Sequence, residues 1–125
     1  MIELHQVAQR AKDLDRAVEF YTGVLGGELI ARFEPPGLAF IRLGSARLLL
    51  EQGAPSALIY LRVPDVRESI SQLHDAGVTI DTEPHLIYVD TDGAFGEKGW
   101  QEWMAFIRDS EDNLVGLASR HAPTS

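Results

Sequence analysis

His5, Glu51, His85 and Glu102 are two imidazoles and two carboxylates, the side-chain types that hold a divalent metal ion. Gln6, next to His5, adds a carbonyl oxygen that suits a hard cation. The chain has no cysteine, which excludes thiolate nucleophiles, disulfides, iron–sulfur clusters and cysteine-based zinc sites together. Any metal must therefore be held by His, Asp, Glu, Gln, backbone oxygen or water. Tyr60 and Tyr88 could hydrogen-bond a ligand carbonyl, and Trp100 and Trp103 could stack on an organic ligand, although Trp103 at a strand start equally suits core packing. Arg10, Arg32 and Arg42 could hold a carboxylate or phosphate, or simply be exposed strand residues. Ser and Lys form no triad-like pattern, and neither a glycine-rich phosphate loop nor a His-Glu-x-x-His helix occurs.

These side chains need elements to position them. Leu14, Ala17, Val18, Tyr21, Val24 and Leu25 recur at helical spacing, with Asp13 as N-cap and Gly26-Gly27 as stop. Ile2 to Ala11 before it reads as a strand, and strand alternation would turn His5 to the opposite face from Gln6. Glu28 to Phe33, Leu38 to Leu43 and Arg47 to Glu51 read as three more strands, the last two joined across Gly44-Ser45, which suits a tight hairpin. After the connector Gly53-Ala54-Pro55-Ser56, Ala57 to Val63 reads as a strand. Pro64-Asp65 then opens a helix through Val66, Ile70 and Leu73 to Ala76-Gly77. Val78 to Ile80 and Pro84 to Val89 look like strands, Asp90 to Gly99 like a loop. Trp103 to Arg108 and Leu114 to Ser119 read as strands around the turn Asp109 to Asn113, with a frayed tail from His121.

The order repeats. Lys12-Asp13-Leu14 precedes Pro64-Asp65-Val66 by 52 positions, and each half reads strand, helix, three strands. A chain of 125 residues with 45% hydrophobic and 24% charged residues is an ordinary globular domain, long enough for one core. Eleven basic against nineteen acidic residues give −8, with no basic cluster, which argues against nucleic acid and against an anionic membrane surface as partners. No apolar run approaches the length of a membrane span and no signal-like start is present, so a soluble, cytoplasmic protein is expected.

The opening His5-Gln6-Val7-Ala8, Asp13-Leu14-Asp15-Arg16-Ala17, Phe20-Tyr21 and Leu25-Gly26, together with the closing Phe106-Ile107-Arg108-Asp109-Ser110-Glu111-Asp112-Asn113-Leu114, resembles the vicinal-oxygen-chelate superfamily. That superfamily contains glyoxalase I, methylmalonyl-CoA epimerase, extradiol dioxygenases and bleomycin-resistance proteins. Glu83-Pro84-His85-Leu86-Ile87 and Glu102-Trp103-Met104-Ala105-Phe106 look like a glyoxalase-like subgroup. The resemblance implies an α+β fold: one domain over residues 1–125 built from two βαβββ modules, about 1–53 and 57–120, forming a curved mixed sheet around a cavity with the helices outside. It implies, too, a homodimer and a small organic ligand.

In that family one divalent metal takes a ligand from the first and the last strand of each module. Counting back seven positions from Asp13 gives Gln6 and from Asp65 gives Leu58; the last strands offer Glu51 and Gly116. Two of these four positions cannot bind a metal and a third is weakened. A displaced set of His5, Gln6, Glu51 and His85 remains as the alternative, so the cofactor is either none or one divalent metal. Two functions follow. One is a metal-free module binding an organic ligand through Gln6, His85, Trp103 and Tyr60. The other is a glyoxalase- or epimerase-like lyase or isomerase acting on an α-oxygenated acid, ketone or thioester, with Glu51 and Glu102 as the proton-moving carboxylates.

Overall fold

The protein is described here by a computed structural model covering residues 1–123. The chain divides into two compact units: Met1–Ala57 with Asp109–Asn113, and Leu58–Arg108 with Leu114 onward. Each unit carries one four-stranded mixed sheet with its helix, in the βαβββ order expected from the repeat.

In unit 1, β1 (Val7–Arg10) lies parallel to β4 (Ala46–Glu51), which pairs antiparallel with β3 (Leu38–Leu43), and β3 with β2 (Glu28–Phe33). Regular strand begins only at Val7, later than the expected Ile2, so His5 and Gln6 lie outside the alternation of β1. Asp13 caps α1 (Leu14–Glu19) as its spacing predicts, its carboxylate accepting from the Arg16 amide at 3.1 Å. The helix then widens to a π-helical turn over Phe20–Val24, and Gly26, at φ 77°, takes the left-handed conformation that stops it. α1 packs on β3 and β4, and Ala17, Tyr21, Ala39, Ile41, Leu48 and Leu50 are all buried. Gln9 is a fully buried polar residue opposite Leu50. Its amide imitates a strand, donating to the Ala57 carbonyl and accepting from the Ala57 amide, both at 2.8 Å.

Unit 2 repeats the plan. β5 (Ile59–Arg62) lies parallel to β8 (Leu114–His121), β8 pairs antiparallel with β7 (Trp100–Arg108), and β7 with the edge strand β6 (Ile80–Asp90). The two short strands expected around Pro84 are one strand, interrupted by three irregularities in register. Pro84 has no amide proton to give, and an edge strand tolerates that loss. Asp65 caps α2 (Val66–Asp75), and the Val66 amide donates to Ser119 Oγ at 2.9 Å, tying the start of α2 to β8. β8 runs to His121, two residues beyond the expected Ser119; positions 124 and 125 of the tail lie outside the described residues.

The turn between β7 and β8 belongs to unit 1, and it is buried: Asp109, Glu111 and Asn113 are each 6% exposed or less. Asp109 accepts from Tyr21 Oη at 2.7 Å and from the amides of Glu111 and Asn113. Glu111 accepts from the Asp13 amide at 2.6 Å and from Arg16 Nε at 2.7 Å, while Asn113 donates to the Arg10 carbonyl at 2.8 Å. Burial and the neighbouring Asp109 carboxylate push the Tyr21 hydroxyl above its usual range. Burial alone would raise the Glu111 carboxyl as well. The hydrogen bonds from Arg16, the Asp13 amide and Ser110 outweigh it and hold the group below the usual glutamate range.

A depressed carboxylate stabilises the fold above its unfolded pKa, and that contribution is lost as pH falls through the lower native value. Denaturant midpoints measured from pH 7 down to pH 3 are therefore expected to fall, and to fall less steeply in Glu111→Gln, which starts from a lower stability. Tyr21→Phe is expected to cost about 1.5–3 kcal/mol at pH 7, the worth of one hydrogen bond to a carboxylate.

Candidate functional site

Strand register assigns each candidate to a face of its sheet. In unit 2, β7 and β8 bury Ala105, Ile107, Val115, Leu117 and Ser119 on the face that carries α2. The alternate residues Glu102, Met104, Phe106, Gly116, Ala118 and Arg120 share the other face, hereafter the open face. Tyr60 pairs with Gly116, His85 with Met104 and Tyr88 with Glu102, so three of the candidates (Tyr60, His85 and Glu102) stand on one face. Trp103 stands on the opposite one: the Arg67 guanidinium of α2 lies 5.3 Å from its ring centroid, and its indole nitrogen donates to Gln101 at 3.0 Å.

The open face is aromatic. Tyr60 and Phe106 meet edge to face at 5.9 Å, and Tyr60 is half exposed. Tyr88 lies 5.8 Å from Phe95, which is 73% exposed in the loop between β6 and β7. That loop is anchored by buried Asp90, which accepts from the amides of Ala94 and Phe95 at 2.8 and 3.0 Å and from Arg120 Nη2 at 3.1 Å. Burial works against the Asp90 charge, but these donors prevail and hold its carboxyl below the usual range. The Tyr88 hydroxyl is pushed up, by burial first and then by the Glu102 and Asp90 carboxylates. Asp90, Arg120 and Phe95 were not legible as site residues; the only signal was a loop flanked by an acid and rich in glycine.

Register also corrects the count of family ligand positions in unit 1. Ala8 pairs with Leu49 in β1 and β4 as Tyr60 pairs with Gly116 in β5 and β8, and Asp13 and Asp65 cap the two helices at the same 52-position offset. The residue equivalent to Gly116 is thus Leu49, which is buried, while Glu51 falls two residues further on, opposite Arg10 and Leu38. The four positions are Gln6, Leu49, Leu58 and Gly116, and only Gln6 can donate to a metal. Its carbonyl oxygen is already the acceptor for Arg47 Nε at 3.1 Å. His5, outside the strand, meets the same guanidinium through Nε2. His85 is exposed, with Nδ1 3.0 Å from the Glu83 carbonyl oxygen. Among the described residues, no three His, Asp or Glu side chains converge on a point that could hold a metal ion.

What fills the Gly116 position is visible. A Cβ there would lie 2.6 Å from Tyr60 Cδ2 and 3.2 Å from Phe106 Cε1. The equivalent triplet of unit 1 is Ala8, Leu49 and Phe40. Unit 2 has exchanged a small–large pairing for a large–small one, so the Tyr60 ring occupies the room that a longer side chain on β8 would need. A metal-binding carboxylate fits at Gly116 only if the Tyr60 ring shifts.

The family model of the Glyoxalase/Bleomycin resistance protein/Dioxygenase superfamily matches residues 3–117, and the chain belongs to that superfamily. Solved structures with the same fold include a lactoylglutathione lyase from Agrobacterium tumefaciens (22% identity, 94% of this chain and 92% of that one, TM-score 0.67). The antibiotic-binding protein TnmS3 from a Streptomyces species is similar to the same degree (22% identity, 94% and 96% covered, TM-score 0.68). A superfamily member from Sphaerobacter thermophilus gives 17% identity, 94% and 98% covered, and a TM-score of 0.71. No curated protein sequence matches the chain. No helix among the described residues is long and apolar enough to cross a membrane.

Gly116→Ala tests the packing. It is expected to lower stability by about 1 kcal/mol, the low end of overpacking costs because the half-exposed Tyr60 ring can swing aside. In a Tyr60→Ala background the same change is expected to cost almost nothing, a coupling that a double-mutant cycle on denaturation free energies measures.

Proposed function

We propose that this protein binds a small organic molecule without a metal, using the aromatic open face of unit 2. The observation that carries this reading is the replacement at Gly116: where a metal-dependent relative needs a ligand, this chain packs Tyr60 against Phe106. Leu49 and Leu58 remove two further donors, so a metal-dependent lyase or isomerase reaction finds only Gln6 among the four positions. Tyr60, Phe106, Met104, Tyr88 and Phe95 offer rings and a thioether to an apolar or aromatic ligand, with Glu102 and the Tyr88 hydroxyl as polar contacts. Glu102 faces the ligand as a hydrogen-bond acceptor rather than as a base. Trp103, under Arg67, serves the helix side. The antibiotic-binding relative gives the reading a precedent on the same fold.

The binder acts as a homodimer. Leu86, Ile87 and Val89 are each more than 40% exposed on the edge strand β6, a run of apolar surface with open backbone groups that a second copy would cover. Sedimentation at micromolar concentration should return twice the chain mass, and a monomer would refute this part.

Thermal denaturation tests the binding. Nickel, cobalt or manganese should leave the melting temperature unchanged, and a tightly bound divalent ion in the purified protein would contradict the reading. Within a panel of bleomycin and aromatic antibiotics, a ligand at a hundred times its Kd should add about 2.7 kcal/mol of stability. Tyr60→Ala should weaken that ligand about tenfold, or about 1.4 kcal/mol.

A further inference from the structure

A second site lies in unit 1, on the β3–β4 hairpin. His5, Ile30, Arg42, Ser45, Ala46 and Arg47 line a pocket of about 260 Å³. Arg42 and Arg47 are directly opposed cross-strand partners, a like-charge pairing that costs stability unless something neutralises it. Their existing partners do not suffice. Arg42 has Glu28 at 3.7 Å, a distant contact between two exposed side chains. Arg47 has no ion pair with a carboxylate among the described residues: its guanidinium meets Gln6 Oε1, His5 Nε2 and the face of Phe40 at 5.5 Å. An arginine has no acceptor atom, so His5 Nε2 is the acceptor in this contact. Two guanidinium groups thus converge on one cavity in a chain whose net charge is −8.

We infer that this pocket binds a small organic carboxylate. A carboxylate presents two oxygens in the plane that a guanidinium fork matches, and two forks are available. Ile30 and Ala46 give the remaining wall an apolar character, which suits a short hydrocarbon or phenyl body. The volume is below that of pockets for drug-sized molecules and admits a ligand of benzoate size. Arg32, another strand arginine of unit 1, illustrates the contrast: Asp15 and Glu34 both pair with it. The pocket is lined by residues of unit 1 alone and the aromatic face by residues of unit 2 alone, so either assignment can fail without the other.

The test is calorimetric titration of the intact protein with sodium benzoate, benzyl alcohol, phenyl phosphate and inorganic phosphate at low ionic strength. Benzoate is expected to bind, benzyl alcohol and inorganic phosphate at least tenfold more weakly, and 0.5 M sodium chloride to weaken benzoate markedly. Arg47→Gln should reduce benzoate affinity at least tenfold. Arg42→Gln, on an exposed side chain that tolerates change, should do so severalfold and serves if the first variant is unstable. Tyr60→Ala should leave benzoate affinity unchanged, which separates this site from the aromatic face. Equal binding of benzoate and benzyl alcohol, unaltered affinity in Arg42→Gln, or tighter binding of phenyl phosphate than of benzoate would each overturn the assignment.

Discussion

The buried turn Asp109–Asn113 is the constraint on which unit 1 depends. Its side chains reach the cap of α1 at Asp13, the side chain of Arg16, the hydroxyl of Tyr21 and the carbonyl of Arg10 at the end of β1. Helix and first strand are thus fixed to one another through five residues distant in sequence. Two buried carboxylates would be costly if any of these donors were missing, since a buried charge left unpaired loses its hydration for nothing. The network is close to fully satisfied: Asp109 accepts four hydrogen bonds and Glu111 is held by Arg16, Ser110 and an amide. Such a network leaves few alternative placements for α1, and Tyr21 and Ala17 in turn cover the strands whose other face carries Arg42 and Arg47.

The same scaffold supports two different surfaces because the two halves solve one packing problem differently. In unit 1 the small Ala8 stands beside Leu49; in unit 2 the large Tyr60 stands beside Gly116. Either combination fills the sheet face, so a repeat can drift from one to the other without losing its core. The functional consequence is not symmetrical. Leucine beside alanine closes the position with an inert aliphatic chain, whereas tyrosine over glycine leaves a half-exposed ring and a hydroxyl at the surface.

Much of this was legible in the sequence. Asp13 and Asp65, each opening an apolar run of helical spacing, marked both caps and the offset between modules. The strands β2, β3, β4 and β8 began at or within a residue of their expected starts because glycine, proline or asparagine punctuates them. Three things were not legible, each for a physical reason. His5 and Gln6 precede the first strand pair, so the alternation expected to turn them to opposite faces does not apply, and both meet Arg47. The place of Glu51 depended on a register that hydrogen bonding between β1 and β4 sets, not local sequence. The burial of the turn Asp109–Asn113 had no local signal, since charged residues are seldom buried without partners and the partners lie almost a hundred positions away.

The departure at Gly116 bears on how function can be inferred from this fold. A missing ligand on its own is ambiguous, because a neighbouring Glu or His might supply the same atom from a displaced position. Here Gln6 and His5 are engaged by one guanidinium, Glu51 is out of register, and His85 and Glu102, although on the open face, belong to no group of three metal-ligating side chains among the described residues. The vacated space, moreover, is filled by Tyr60 against Phe106. A carboxylate at Gly116 would therefore have to displace the Tyr60 ring. The cost of moving that ring couples the two positions, so the Tyr60–Phe106 contact is part of the packing of this sheet face.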